Sequence, residues 1–361
     1  MDLNLRGRTA LITGASKGIG CGAAEVLAEE GVNVILVART KTDLDAVRDT
    51  ISARWNVRAE VHALDISDST NVDRLAALHP DIDILVNNAG AIPGGNLQEI
   101  DGGAANRGPC SEEQRMNLQG KVAVVTGASG GIGSATARRF AEAGCRVVVG
   151  YNSRSAEADK VAAALPGSGH RTARMPMEDT VALRQVAAMV EREYGRCDVL
   201  VNSAGFTQMI AHADLEALTD ELIDAIFVAN VRGPFATIRA FAPLMKRSDD
   251  AVIVNVSSGA ALSGGGSNIA YGASKAAIDT LTRSLARVLG PNIRVLSVSP
   301  GAVDTGFVPG RTTEMVERAA QRTPLKRVVQ ADEVAQTVMA AVTLMTATTG
   351  SILLVEGGSL L

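Results

Sequence analysis

The sequence has few cysteines, no large excess of positive or negative charge, and no long apolar run. Its four cysteines, Cys21, Cys110, Cys145 and Cys197, lie too far apart for a metal-ligand pair or a disulfide framework, which suits a reducing cytosol. Thirty-five basic and 39 acidic residues give a net charge of −4, unlike a general nucleic-acid binder. No run approaches the ~18–20 apolar residues of a membrane span, and the first ten residues lack a signal peptide's apolar stretch. These absences predict a cytoplasmic protein that binds neither nucleic acid nor membranes.

The chain repeats itself. Of its 361 residues 46% are hydrophobic, enough for a packed core and, at ~150 residues each, for about two domains. NLRGRTALITGASKGIG at 4–20 returns as NLQGKVAVVTGASGGIG at 117–133, and DILVNNAG at 83–90 returns as DVLVNSAG at 198–205. Offsets of 113 and 115 residues are those of a domain, or of part of one, rather than of a solenoid repeat.

Apolar strand-like segments alternate with helical segments in both copies. The first copy has predicted strands at about 8–13, 32–38, 59–64 and 83–87. The second has them at about 121–126, 146–151, 171–175 and 198–202, then at 251–256, 293–298 and 352–355. This alternation is typical of βαβ units around a parallel sheet. We therefore predict a truncated half-domain at 1–91, a polar, glycine-rich linker at 92–116 and a complete domain at 117–361.

A glycine-rich loop follows the first strand of the second copy, and it contains Gly127, Ser129, Gly131, Ile132 and Gly133. Glycines let a backbone approach a pyrophosphate, and the following helix N-terminus offers free N–H groups. A turn that binds nothing is the alternative, but the preceding strand and following helix disfavour it.

A second group of residues suits acid/base chemistry. Tyr271 and Lys275 are four residues apart on a predicted helix and share one face. An ammonium near a phenol favours the phenolate, so we expect a lowered pKa for Tyr271. Ser257 and Ser258 follow the strand AVIVNV, at the sheet edge where ligands bind. Each pattern alone is more often helix surface or a cap, and only their combination indicates a site.

Six motifs follow one another along the chain: TGASGGIG at 126–133, NSAG at 202–205, Asn230, Ser258, YGASK at 271–275 and SPGAVDT at 299–305. In order and spacing they closely resemble the short-chain dehydrogenase/reductase family over about 117–361. The resemblance implies the Rossmann fold, an α/β doubly wound parallel sheet of order 3-2-1-4-5-6-7, here preceded by an N-terminal partial copy of the same fold. It also implies NAD(P)-dependent hydride transfer to or from a small-molecule carbonyl or secondary alcohol, and a homodimer or homotetramer.

The resemblance also implies roles for four catalytic residues. Tyr271 would donate a proton to the substrate oxygen, and Ser258 would hydrogen-bond that oxygen. Lys275 would bind the nicotinamide ribose and lower the pKa of Tyr271. Asn230 would bind a water that relays protons from Lys275.

The remaining cofactor contacts follow from the same resemblance. The nicotinamide would be bordered by Pro300, Gly301, Val303 and Thr305. The central strand and the adenosine side would be supported by Asn202, Ala204 and Gly205. In the family an aspartate contacts the adenine ring, and the first copy has Asp65 at that position. The second copy departs from the family, because Pro176 stands there instead. We expect the backbone of Met177 or Glu178 to make that contact instead.

The segment after the second strand bears on cofactor choice. An acidic residue there selects NAD through the ribose 2′-OH, whereas this copy has Asn152, Ser153 and Arg154. The first copy has Lys17 and Arg39, the family's NADP pattern. We predict NADP(H), with NAD(H) as the alternative; Arg154 as a mere solvated loop charge is the other interpretation.

The first copy has the glycines Gly14, Gly18 and Gly20 but no Tyr-x-x-x-Lys, so it cannot catalyse the reaction alone. We favour the interpretation that it is a remnant, or a product of fusion or misassembled sequence, with no present role; the alternative is that it binds the adenosine half of a cofactor. After Thr305 we predict a lid, apolar through Phe307, Val308 and Met315 but locally basic. The basic residues suit acyl groups on an acidic carrier, as in the 3-oxoacyl-carrier reductases that this chain resembles, or they form an ordinary solvated helix face. The alternatives are a non-catalytic nucleotide-binding or sensing protein and an interaction scaffold. The isolated His170 and His212 are interpreted as structural, and no metal site is predicted.

Overall fold

The computed structural model describes residues 3–89 and 116–361. The chain divides into two compact units, Met1–Gln114 and Arg115–Leu361. Residues 92–115 of the predicted linker lie outside the described part. The last residue of that predicted linker, Met116, is buried in the second unit, where its N–H donates to the Thr343 carbonyl at 3.2 Å.

The first unit is a four-stranded parallel sheet of order β3-β2-β1-β4. Its elements are β1 Thr9–Thr13, α1 Gly18–Glu29, β2 Asn33–Ala38, α2 Lys41–Arg54, β3 Ala59–Ala63, α3 Ser69–Leu78 and β4 Ile84–Val86. Among the described residues β4 pairs with β1 alone. Leu85 of β4 is 60% exposed, whereas the corresponding Leu200 of the second unit is fully buried.

The second unit contains a seven-stranded parallel sheet of order β11-β10-β9-β8-β5-β6-β7. Its strands are β5 Val122–Thr126, β6 Arg146–Tyr151, β7 Arg171–Arg174, β8 Val199–Asn202, β9 Ala251–Val256, β10 Ile293–Pro300 and β11 Ile352–Val355. Its helices are α4 Gly131–Glu142, α5 Ser155–Ala164, α6 Thr180–Tyr194, α7 Asp220–Phe227, α8 Gly233–Met245, α9 Ala260–Ser263, α10 Ile269–Leu289, α11 Thr313–Ala320 and α12 Ala331–Thr343, with a π-helical turn at Val228–Arg232. Counted within this unit, the order is 3-2-1-4-5-6-7, as predicted.

Helices cover both faces of the seven-stranded sheet. Along β5, Ala123 and Val125 pack into the core on the side of α4 and α12, and Val122 and Val124 into the core on the side of α6 and α8. Because successive side chains of a strand point to opposite faces, a strand covered on both sides is apolar throughout. All residues of β5, β9 and β10 are buried, and most of them are apolar; the exceptions include Asn255 of β9 and Arg294, Ser297 and Ser299 of β10. Among the described residues no helix is long and apolar enough to cross a membrane.

Candidate active site

A cavity of about 750 Å³ lies at the carboxyl ends of the strands in the second unit. This size falls within the range of small-molecule sites, and carboxyl strand ends are where doubly wound sheets bind ligands. The cavity is lined by every predicted site residue except Asn202 and Asn230. Asn202 instead donates from Nδ2 to Oδ1 of Asn255 at 2.8 Å inside the sheet.

One end of the cavity is the glycine loop between β5 and α4. Gly127 has φ +65°, and a Cβ there would lie 2.8 Å from the Cα of Ala204, so only glycine allows this close approach. Thr126 fixes the facing turn, because its Oγ1 accepts from the N–H groups of Ser203 at 3.1 Å and Ala204 at 3.0 Å. The NSAG segment and the glycine loop therefore pack as one unit.

The start of α4 suits an anion. Its N-cap, Gly130, has no capping side chain, and its first turn contains no acidic residue, so the free N–H groups face the cavity without competition. The guanidinium nitrogens of Arg154 lie 3.6 Å from the position of a Gly130 Cβ. Arg154 thus reaches back over the loop, and Asn152, Ser153, Met177 and Glu178 line the same end of the cavity.

The other end of the cavity contains Tyr271, near the start of α10. Asn268 caps this helix: its Oδ1 accepts from the Tyr271 N–H at 2.7 Å, and its Nδ2 donates to the Gln208 carbonyl at 2.7 Å. Asn268 is fully buried, and it ties the first turn of α10 to the loop after β8. Asn268 is not among the residues predicted from the sequence, although an asparagine directly before a helical segment is an N-cap signal.

The pKa of Tyr271 moves in the direction opposite to that expected from the sequence. Burial raises it to about 12, although a hydrogen bond with Ser258 and the charge of Arg311 both act to lower it. Lys275 does not reverse this, because its Nζ lies 5.7 Å from the Tyr271 ring centroid and donates to the Val256 carbonyl at 2.8 Å. The expected lowering was wrong because desolvation outweighs the nearby charges.

Lys275 is itself buried, and burial lowers its pKa to about 8. The charge of Asp279, one turn further along α10, opposes this shift. Asp279 is buried too and accepts from the Ser297 hydroxyl at 2.8 Å; burial raises its pKa. Asp279, like Asn268, is not among the residues predicted from the sequence.

Asn230 lies in the π-helical turn and does not line the cavity. Its Oδ1 accepts from the Phe206 N–H at 2.8 Å, and its Nδ2 donates to the Phe206 carbonyl and to Ser274 Oγ, both at 3.0 Å. Ser274 precedes Lys275, so Asn230 connects the loop after β8 to the helix of Lys275. The predicted role with a bound water stays a prediction.

The segment after β10 covers the cavity. Thr305 comes close to the glycine loop, since a Cβ on Gly131 would lie 3.2 Å from Thr305 Cβ. Phe307 approaches Tyr271, with ring centroids 6.1 Å apart. Pro300, Gly301, Val303, Val308 and Arg311 also line this side, and Glu356 after β11 joins them.

The matching loop of the first unit differs in the contacts made by the charged side chains around it. It leads into α1 as the second loop leads into α4, but Lys17 Nζ pairs with Asp43 at 3.0 Å. Asp65 accepts from the N–H of Ser67 at 3.0 Å and from its hydroxyl at 2.8 Å. Lys17 and Asp65 are therefore bonded to residues of the first unit itself.

Comparison with known proteins settles the family. The profile described as "Enoyl-(Acyl carrier protein) reductase" matches residues 127–359, and the profile described as "short chain dehydrogenase" matches residues 8–107. The chain belongs to the short-chain dehydrogenase/reductase family. A complete member in the second unit follows a partial one in the first, and the chain is an oxidoreductase by family.

Two relatives of this chain bear names that describe reduction of the keto group of an acyl chain. One, from Streptomyces violaceoruber, bears the name of ketoacyl reductase 2 of the granaticin polyketide synthase; it is 42% identical over 240 residues, which cover 66% of this chain and 95% of the relative. The 3-oxoacyl-[acyl-carrier-protein] reductase of Thermotoga maritima is 35% identical and covers 67% and 99%. A short-chain dehydrogenase of Burkholderia cenocepacia, solved in complex with NADP, is 32% identical with a TM-score of 0.61, covering 68% and 100%.

Proposed function

We propose that the second unit is an NADP(H)-dependent reductase of a carbonyl group, with Tyr271 as the general acid. The observation that supports this most is the arrangement of one cavity. Tyr271, Ser258 and Lys275 line one end, and the uncapped start of α4 with Arg154 lines the other. The two ends match the reactive and the phosphate-bearing parts of a dinucleotide.

The residues present fit NADP. The N-terminus of α4 would bind the pyrophosphate, Arg154 with Ser153 would bind the 2′-phosphate, and Lys275 would bind the nicotinamide ribose. Bound NADPH supplies the hydride, which the carbonyl carbon of the substrate accepts. That a structural neighbour was solved with NADP supports this choice over NAD.

Tyr271 supplies the proton. With a pKa of about 12 it is protonated at neutral pH, so its hydroxyl can donate to the carbonyl oxygen as negative charge develops there. Ser258 hydrogen-bonds the same oxygen. In the direction of oxidation Tyr271 acts as the base and takes the proton back.

For the substrate we propose a 3-oxoacyl group on a thioester carrier. Phe307 and Val308 give the cavity an apolar wall, while Arg311 adds positive charge that suits an acidic carrier. The names of the two curated relatives support the same class. The family profile's own description names reduction of an enoyl group, which is the second candidate.

A substrate panel separates these candidates. The full chain is assayed for NADPH and NADH oxidation with a 3-oxoacyl thioester, the matching enoyl thioester and a simple ketone. We expect the 3-oxoacyl thioester with NADPH to give the highest kcat/KM. Saturable NADPH binding without turnover of any of the three would favour a non-catalytic sensor.

Replacing Tyr271 tests the acid directly. Tyr271→Phe removes only the hydroxyl, so we expect reductase kcat to fall ~10²–10⁴-fold while the Kd for NADPH changes little. Tyr194→Phe is the matched control, because its hydroxyl donates to the Gly169 carbonyl and does not line the cavity. Near-full activity of Tyr271→Phe would refute the assignment.

A further inference from the structure

Three side chains of types that can ligate a metal ion lie close together in the first unit, and none of them belongs to a glycine loop. Nε2 of His62 lies 3.1 Å from Oε1 of Glu60 and 2.8 Å from Nε2 of His79. Nε2 of His79 lies 3.8 Å from the same Glu60 oxygen. The His62 and His79 side chains are only 18% and 10% exposed.

Hydrogen bonding within the cluster does not satisfy these atoms. Nε2 of His62 is either an N–H donor or a lone-pair acceptor, never both. As a donor, its single hydrogen must serve two acceptors. If Nε2 of His62 instead accepts a hydrogen bond from His79, it has no hydrogen for Glu60, and its lone pair faces the carboxylate oxygen. A cation at the centre would satisfy all three atoms together.

The fold supports these positions from two elements. Glu60 and His62 are two residues apart on β3 and so point to the same face of the sheet. His79 ends α3, where its N–H donates to the Leu75 carbonyl at 3.2 Å. Nη2 of Arg58 donates to Oε2 of Glu60 at 3.1 Å, which leaves Oε1 directed at the histidines. Such an outer contact orients a carboxylate ligand.

The second unit lacks the trio, so the shared fold does not require it. In the first unit, Glu60 pairs with Ile35 and His62 with Val37. The corresponding residues of β6 in the second unit, Val148 and Gly150, pair with Arg171 and Ala173. Arg171 and Ala173 therefore stand where the first unit has Glu60 and His62. Tyr194 occupies the position of His79 at the end of α6. The three side chains are specific to the first copy.

We propose that Glu60, His62 and His79 form a binding site for a divalent transition-metal ion, Zn²⁺ foremost. Two imidazoles and one carboxylate are a common zinc donor set, with water in the fourth position. Donors at ~2.0–2.1 Å from a tetrahedral ion lie ~3.3 Å apart, and the distances of 2.8, 3.1 and 3.8 Å bracket that value. The ion would tie the end of α3 to the edge strand β3.

Metal titration of the full chain tests the site. Affinity tags are removed, metal is stripped with a chelator, and ZnCl₂ is added in a calorimeter. We expect one Zn²⁺ per chain, and a rise in the melting temperature on binding, since ligands of the folded state stabilise it. Co²⁺ titration should give the visible absorption of a tetrahedral nitrogen and oxygen site.

Variants assign the ligands. His62→Ala and His79→Ala should each abolish the stoichiometric binding, and Glu60→Gln should weaken it about tenfold or more. His212→Ala is the control, because His212 is exposed and outside the cluster, and it should keep one equivalent. Glu60→Gln preserves side-chain shape and serves if an alanine variant does not fold. Absence of stoichiometric binding, or unchanged binding in Glu60→Gln and both histidine variants, would overturn the proposal.

Discussion

At the scale of single residues, the Tyr-x-x-x-Lys motif predicts where the side chain of Tyr271 lies but not the direction of its pKa shift. The spacing to Lys275 correctly places both side chains at one cavity, because i and i+4 share a helix face. The same spacing gave the wrong direction for the pKa, since burial depends on walls contributed by distant segments such as that of Phe307. Glu60, His62 and His79 escaped notice for a similar reason: His62 and His79 are 17 residues apart and meet only once α3 packs on β3.

Arg154 carries a prediction at this scale. Arg154→Ala should raise the KM for NADPH about 10–100-fold, because hydrogen bonds to charged groups are worth ~1.5–3 kcal/mol, and should leave the KM for NADH nearly unchanged. Steady-state kinetics with both cofactors measures the ratio. Arg192→Ala on the exposed surface of α6 is the control. Equal losses with NADPH and NADH would mean that Arg154 does not contact the 2′-phosphate.

At the scale of elements, the strands were predictable and the connections were not. All eleven predicted strands are present, because buried parallel strands are short apolar runs between glycine and polar residues. The π-helical turn at Val228–Arg232 has no such signature, yet it sets the position of Asn230 against Ser274. Inserted turns of this kind arise from tertiary packing and recur at functional sites.

The N-cap of α10 supports an element-scale prediction. Asn268→Ala removes a cap worth ~1 kcal/mol and leaves the Tyr271 N–H without its acceptor, so we expect a melting temperature lower by about 2–4 °C or more. Reductase kcat should fall as well, because the first turn of α10 carries Tyr271.

Thr219→Ala separates stability from positioning. Thr219 caps α7 by accepting from the Leu222 N–H at 3.4 Å and does not line the cavity. It should lower the melting temperature but not kcat. If Asn268→Ala lost stability without any loss of kcat, the cap would have no positioning role.

At the scale of the molecule, the repeat predicted two units of the same fold. Their order of strands agrees with the resemblance, while the exact domain limits and the linker stay predictions. The homodimer or homotetramer is also still a prediction. An exposed apolar groove along Phe227, Val231, Phe235 and Leu281 supports it, and sedimentation velocity at micromolar concentration measures it directly.

The two glycine loops give a matched pair for cofactor stoichiometry. Gly131 and Gly18 have nearly equal φ, +57° and +59°, so aspartate strains both backbones alike. We expect calorimetry to show one tight NADPH site per chain, abolished by Gly131→Asp because its carboxylate would repel the pyrophosphate. Gly18→Asp should leave binding and turnover nearly unchanged. Two equivalent sites, or loss of activity in Gly18→Asp, would show that the first unit works in the enzyme.

The exposed edge of β4 has a consequence for how the chain reaches its native state. Because synthesis starts at the N-terminus, the first copy leaves the ribosome before the second. When β9 emerges, it meets two edges of nearly identical sequence, DILVN at 83–87 and DVLVN at 198–202. Both edges carry the same leucine and asparagine, as Leu85 and Asn87 and as Leu200 and Asn202, so these side chains do not determine which edge β9 joins. The helix α8 directly precedes β9 in the chain and packs on both β8 and β9, so we expect it to hold β9 beside β8 and to prevent pairing with β4.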